Sequence, residues 1–192
     1  MVGPTASGKS ALALDFAVRT GGSIVNCDSV QFYNHLFIGS AAPTEEDKKK
    51  VPHFLYSYVN PPAEMTAGQY IRDFYRLLDN PEVQFPLYIV GGTGFYVQAL
   101  EKGMYDVPEI PLELKNQIEE EIKTYGTQKF YEELKRFDPE TTVHPNDGYR
   151  IGRALEIKRF FNLKMSDFHK KNESQLKNKL PFPFIKIGLQ LD

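Results

Sequence analysis

Apolar positions along the chain follow three patterns in turn. From Ala11 to Arg19 good helix formers predominate, and Leu12, Phe16 and the neighbouring alanines predict a buried stripe on a helix that Gly21-Gly22 ends. Ser23-Ile24-Val25-Asn26-Cys27 then reads as a short buried strand ending at Asp28. Gln31 to Pro62 has no strong period and is punctuated by Pro43, Pro52, Pro61 and Pro62, which predicts loops and short elements. Thr66 is placed to cap a helix with Tyr70, Phe74, Leu77 and Leu78 on one face. Phe85-Pro86-Leu87-Tyr88-Ile89-Val90 reads as a second buried strand, broken by Gly91-Gly92, with another helix starting near Gly94. Strand, glycine-rich turn and helix in repetition predict a parallel α/β sheet.

The pattern changes at residue 111. Pro111 suits a first helical position, Ile118, Ile122 and Tyr125 follow at helical spacing, and Gly126 ends the segment. Thr127 can cap the next helix, with Phe130, Leu134 and Phe137 inward. Asn146 or Asp147 can cap a third, with Ile151, Leu155 and Phe161 as its apolar face. No strand interrupts them, which predicts a helical insertion. Residues 170–179 are rich in Lys, Asn and Gln and read as a linker. Ile185, Ile187, Leu189 and Leu191 alternate with Lys186, Gly188 and Gln190, the period of a strand. The expected organisation is an α/β core over 1–108, a helical insertion over 109–168, and a linker and returning strand over 169–192.

Composition narrows the class. The 192 residues are 41% hydrophobic and 25% charged, with 23 Lys+Arg against 25 Asp+Glu and a net charge of −2. That is ordinary for a globular chain, and no apolar run approaches the length that spans a bilayer. No secretory signal is visible, and the single cysteine, Cys27, excludes an internal disulfide framework and a clustered-thiolate metal site, so a reducing, cytoplasmic compartment is expected. The average conceals an asymmetry: residues 101–144 carry a net −5 and residues 145–188 a net +6. A basic run is either a solvated helical surface or a contact zone for a phosphate backbone.

The strongest local motif comes first. Gly3-Pro4-Thr5-Ala6-Ser7-Gly8-Lys9-Ser10 fits the phosphate-loop pattern G-x-x-x-x-G-K-[ST]. Successive N–H groups at a helix start form an anion cradle, Lys9 reaches the outer phosphates, and the Ser10 hydroxyl can ligate Mg²⁺. Only Met1 and Val2 precede the loop, so either the strand that normally leads into it is trimmed to a stub or upstream residues are absent from this chain. Asp28 falls at the C-terminal edge of the sheet, where ligands bind, and suits either a general base or a metal-holding role. Ser29 and Gln31 extend the polar cluster. Thr93, in Gly91-Gly92-Thr93-Gly94-Phe95-Tyr96, can present a hydroxyl to the phosphate end of a ligand. His144, in His144-Pro145-Asn146-Asp147, reads as a structural residue at a helix start. Arg150 and Arg153 share a helical face and can contact phosphates.

In this order, Gly3–Ser10, Asp28-Ser29-Val30-Gln31-Phe32-Tyr33, Ile38-Gly39, Ala42-Pro43-Thr44, Gly91 to Tyr96, and His144 through Arg153-Ala154-Leu155-Glu156 make the chain resemble the tRNA dimethylallyltransferases of the bacterial type, from residue 2 to 192. The resemblance implies a P-loop kinase-like α/β core with a helical insertion that grips tRNA, and transfer of a dimethylallyl group from its diphosphate to N6 of an adenosine beside the anticodon. It implies that Gly3, Pro4, Thr5, Ala6, Ser7, Gly8, Lys9 and Ser10 hold the donor diphosphate rather than ATP, with Mg²⁺ on Ser10. Asp28 would be the base facing the adenine amine, with Ser29, Val30 and Gln31 beside the target nucleotide. Thr93 would position the reacting groups, and Lys115 with Tyr149, Arg150, Ile151, Gly152 and Arg153 would touch tRNA. The expected partners are tRNA and dimethylallyl diphosphate, with no membrane and a monomeric chain. Family chains continue past residue 192 with further helices, so the C-terminal part is expected to be missing. The alternatives are an isopentenyltransferase acting on free adenine nucleotides and a small-molecule P-loop kinase.

Overall fold

The computed structural model describes residues 1–103, 110–167 and 180–190. They divide into two compact units, residues 1–104 with 177–192, and residues 105–176. The 170–179 linker expectation lies outside the described residues.

The first unit opens with helix α1 (Lys9–Thr20), strand β1 (Ser23–Asn26), the short helices α2 (Phe37–Ser40) and α3 (Glu45–Lys50), and strand β2 (His53–Phe54). Helix α4 (Ala67–Leu78), strand β3 (Leu87–Val90) and helix α5 (Gly94–Lys102) follow. The strands lie in the order β2-β1-β3, all parallel, with Ser23 opposite Leu87 and Asn26 opposite Val90. Thr66 caps α4, accepting from the Gln69 N–H at 3.2 Å.

Both sheet faces are covered, which is why β1 shows no alternation: all four of its residues are buried. Ile24 packs with Val90, Ala13 and Ala17 of α1. Val25 and Cys27 face Tyr70, Ile71 and Phe74 of α4 and Tyr96, Ala99 and Leu100 of α5. The stripe expected from Leu12, Phe16 and the neighbouring alanines is carried by the alanines. The fully buried positions of α1 are Ala13 and Ala17, which bring the helix close to the sheet, and Leu12 and Phe16 are half-buried flanks.

Ahead of the loop, the described pairing is a single residue. Val2 alone bridges Gly91 on one side and Gly188 on the other, both in parallel. The expected C-terminal strand is likewise reduced to one bridge, in which the Val2 N–H donates to the Ile187 carbonyl (2.9 Å) and the Leu189 N–H to the Val2 carbonyl (2.8 Å). A partner one residue long cannot extend a ladder, and Ile185 stands 87% exposed.

The second unit comprises helices α6 (Leu112–Tyr125), α7 (Thr127–Phe137) and α8 (Gly148–Phe161). Ile118, Phe130, Ile151 and Leu155 form its core. Asp147 caps α8 by accepting from the Arg150 N–H at 3.0 Å. Buried Asp138, just past α7, accepts from the Ser166 N–H (2.9 Å) and hydroxyl (2.6 Å) and so ties the segment after α8 to the end of α7. Two expectations are corrected. Tyr125 is 59% exposed, its ring beneath the Lys129 ammonium at 4.1 Å. Thr127 is the first helical residue, with Gly126 at the cap position and no side-chain cap bond.

Candidate active site

Three backbone segments of the first unit converge beside β1 and β3. The first is the phosphate loop. Gly8 caps α1 in a left-handed conformation (φ +81°), and no side chain caps this helix, so its first-turn N–H groups are directed to the loop rather than to a capping side chain. Gly3 is required by close approach, since a Cβ there would lie 2.4 Å from the Leu189 carbonyl oxygen. The Lys9 ammonium crosses the loop, donating to the Pro4 carbonyl at 2.5 Å and to Ser7 Oγ at 3.5 Å. Pro4, Thr5, Ala6 and Ser10 are exposed, so the cradle opens to solvent.

The second segment follows β1. Asp28 is half-buried, and its Oδ1 accepts from the Val30 N–H at 3.0 Å, a turn of the kind short acidic side chains make with their own backbone. Its other oxygen, Oδ2, lies 3.5 Å from the place where a Cβ on Gly92 would stand, and the Gly3 carbonyl lies 3.6 Å from the same point. One small space beside Gly92 is therefore bordered by the root of the phosphate loop and by the free carboxylate oxygen.

The third segment follows β3. Gly91 packs so closely on the Cys27–Asp28 backbone that a Cβ would fall 1.9 Å from the Cys27 oxygen. Thr93 occupies the cap position of α5 without capping it. Its hydroxyl instead accepts from the Ser29 N–H (2.9 Å) and donates to Ser29 Oγ (3.2 Å), tying the two segments together. Thr93, Ser29 and Asp28, named from sequence, thus meet in space.

Gln31 points away from them, its amide donating to the Ser40 (2.7 Å) and Ala41 (3.1 Å) carbonyls. It borders a cavity of about 250 Å³ that Ser10, Leu14, Pro43, His53 and Tyr56 also line. Burial lowers the basicity of the His53 imidazole and raises the Tyr56 phenol above its ordinary range, the Asp28 charge adding to the latter. Burial also pushes the Cys27 thiol up to about 11, which leaves it an inert core side chain rather than a nucleophile. Asn26 is a buried polar residue that the sequence reading treated only as part of the strand. The signal was present: an amide side chain within an otherwise apolar run, two residues before the carboxylate.

In the second unit, Tyr149 is 84% exposed, and Lys115 and Arg150 are exposed. Ile151 and Gly152, which the resemblance places at tRNA together with Tyr149 and Arg150, are buried and face the helical core, so the exposed groups of that stretch are Tyr149 and Arg150. His144 is a turn residue whose Nδ1 faces the Asn146 N–H at 3.2 Å. Part of the charge asymmetry is met within the unit. Lys158 pairs with Glu133 of α7 (2.6 Å) and Arg159 with Glu121 of α6 (2.8 Å), while Arg153 pairs with Glu156 and Arg150 with Asp147. The Arg159 guanidinium holds the Glu121 carboxyl below its usual range.

A phosphate loop running into a helix beside a parallel sheet, with a carboxylate at the neighbouring strand end, defines a kinase-like phosphate-loop domain suited to diphosphate chemistry. The IPP transferase family model matches residues 31–192, and the isopentenyl transferase model matches residues 1–57. The chain belongs to the IPP transferase family, as its motifs indicated. It is 47% identical to the tRNA dimethylallyltransferase of Bdellovibrio bacteriovorus over the whole of this chain and 63% of that protein. Among solved structures, the tRNA delta(2)-isopentenylpyrophosphate transferase of Staphylococcus epidermidis matches at 30% identity and a TM-score of 0.50, over 93% of this chain and 59% of that one. A eukaryotic dimethylallyltransferase acting on tRNA matches with a TM-score of 0.73 at 24% identity, over 94% of this chain and 45% of that one, and bears on the fold alone. The chain thus spans about six tenths of the length of the curated relatives it matches. Among the described residues, no helix is long and apolar enough to cross a membrane.

Proposed function

We propose that this chain carries the catalytic core of a cytoplasmic tRNA dimethylallyltransferase, which moves a dimethylallyl group from its diphosphate to N6 of an adenosine beside the anticodon. The observation that supports this reading most is the convergence at Gly92, where the Asp28 carboxylate and the root of the phosphate loop border one space, locked by Thr93 on Ser29.

An exocyclic adenine amine is a weak nucleophile, so the donor carbon must be strongly electrophilic. The loop N–H groups and Lys9 gather the negative charge that develops on the diphosphate as the C1–O bond breaks. The N6 lone pair forms the new N–C1 bond, and the proton shed by N6 passes to Asp28. Magnesium at the loop suits the donor set there. The exposed Ser10 hydroxyl, at the start of α1 beside the loop, would be a protein ligand, with phosphate oxygens and water as the others. Bound there, the ion would neutralise leaving-group charge. The target base must leave its stack to reach Asp28, with Ser29 and Val30 beside it. Lys115, Tyr149, Arg150 and Arg153 would hold the RNA backbone.

Labelled dimethylallyl diphosphate should be retained by the protein and its label recovered on tRNA adenosine N6, whereas labelled ATP should not be retained. Retention of ATP with phosphoryl transfer would favour the kinase alternative, and transfer to free adenine nucleotides but not to tRNA the other. Lys9→Ala should weaken diphosphate binding by about 2 kcal/mol, the value of a charge-assisted hydrogen bond. Unchanged affinity by calorimetry would remove Lys9 from the site.

Arg150 is held by an exposed ion pair to Asp147, of a kind worth at most about 1 kcal/mol, and can exchange it for a phosphate. Arg150→Gln should reduce the slope of log tRNA affinity against log salt by somewhat under one unit. An unchanged slope in filter-binding titrations would mean that this arginine faces solvent in the complex.

A further inference from the structure

Asn26 ends β1 with its side chain fully buried, in a four-residue strand where an apolar side chain would pack at no desolvation cost. Its amide makes three hydrogen bonds, and two of them go to the backbone of one residue. Oδ1 accepts from the Asp28 N–H at 2.8 Å, and Nδ2 donates to the Asp28 carbonyl at 3.2 Å. The third runs from Nδ2 to the Leu55 carbonyl at 3.0 Å. Leu55 has φ +61° and Ser57 φ +48°, left-handed conformations that are costly for residues with a Cβ and persist where surrounding contacts hold them.

Fixing both the N–H and the C=O of one residue fixes the direction in which its Cβ projects. Oδ1 of Asp28 is then committed to the Val30 N–H, which leaves Oδ2 facing the space beside Gly92. We propose that Asn26 is a positioning residue for Asp28, aiming the carboxylate that takes the N6 proton while anchoring it to the left-handed turn at Leu55. The inference rests on the function proposed above. A proton acceptor displaced by about 1 Å commonly loses on the order of 10²-fold in rate, so the aim of this carboxylate matters more than its mere presence.

The test is a double-mutant cycle in single-turnover prenyl transfer to tRNA, with diphosphate affinity measured on every variant. Asn26→Ala should slow transfer by roughly 10–100-fold, with diphosphate affinity within about twofold of the parent because the phosphate loop does not contact this amide. On an Asp28→Asn background the same substitution should change the residual rate by less than about twofold, since a residue that acts through Asp28 has nothing left to aim. Asn26→Ser, which keeps a short polar group, is measured alongside, so that poor folding of the alanine variant, read as lost diphosphate binding, leaves a second cycle to decide. Equal losses in both backgrounds would make Asn26 a scaffold residue only and overturn the proposal. A rate that depends on Asp28 but not on Asn26 would overturn it alone. A parent enzyme whose transfer rate is unmoved by Asp28→Asn would overturn the role of Asp28 and this inference with it.

Discussion

Asp28→Asn is expected to slow single-turnover prenyl transfer by roughly 10²–10⁴-fold, the range that general base catalysis supplies. Asparagine keeps the shape and one oxygen, so the bond from the Val30 N–H survives and the turn stays folded. What it loses is the capacity to take up the N6 proton as the new bond forms. Affinity for tRNA should change far less, because phosphate contacts elsewhere dominate it. A role in holding Mg²⁺ forecasts something different, namely partial rescue of the rate by excess metal. Transfer rates of the variant across a Mg²⁺ titration separate the two roles, and a near-parental rate at ordinary Mg²⁺ would refute both.

Gly91→Ala should be the most damaging of the glycine substitutions at the site. The added Cβ would lie 1.9 Å from the Cys27 oxygen, 2.1 Å from its carbon and 2.8 Å from the Asp28 nitrogen, all backbone atoms. None can retreat without breaking the 2.8 Å bond from the Cys27 N–H to the Val90 carbonyl and the adjoining Asn26–Val90 register. A loss of about 3 kcal/mol is expected from such overpacking, together with loss of transfer, because the strand end that moves carries Asp28. Gly94→Ala is the internal control: nothing lies within 4 Å of its added Cβ. Denaturant midpoints of the two variants check the contrast, and equal midpoints would mean that β1 and β3 can separate at this end without cost.

Much of the candidate site is legible in the sequence, because its residues lie in short contiguous motifs. The phosphate loop, Asp28 at a strand end and Thr93 after two glycines each announce themselves within a few residues, and so do the caps Thr66 and Asp147. What was not readable depends on partners far away in the chain. β2 is two residues long and exists only because Ile24 and Val25 pair with it. The alanine face of α1 follows from how near the helix comes to the sheet. The basic run after residue 145 looked available for RNA, yet Lys158 and Arg159 are neutralised by Glu133 and Glu121 from helices earlier in the chain. Ile151 sits in the stretch that the resemblance assigns to tRNA, but the turn of α8 sends it inward. Asn26 was hidden for a related reason: its value lies in three acceptors and donors that the strand pattern does not name.

Val2, pinned between Gly91 and Gly188, sets the order in which the domain can be finished. The loop that follows Val2 is separated in sequence from the neighbours on either side of its root, one about 90 residues away at Gly91 and one near residue 188. Closing so long a span is entropically slow, so the cradle should be among the last parts of the domain to form. Binding at the loop then rewards completion: a diphosphate at about 100 times its dissociation constant adds about 2.7 kcal/mol to a fold that binds it only when the span is closed. Under the function proposed above, the donor would in that way act as a folding ligand as well as a substrate.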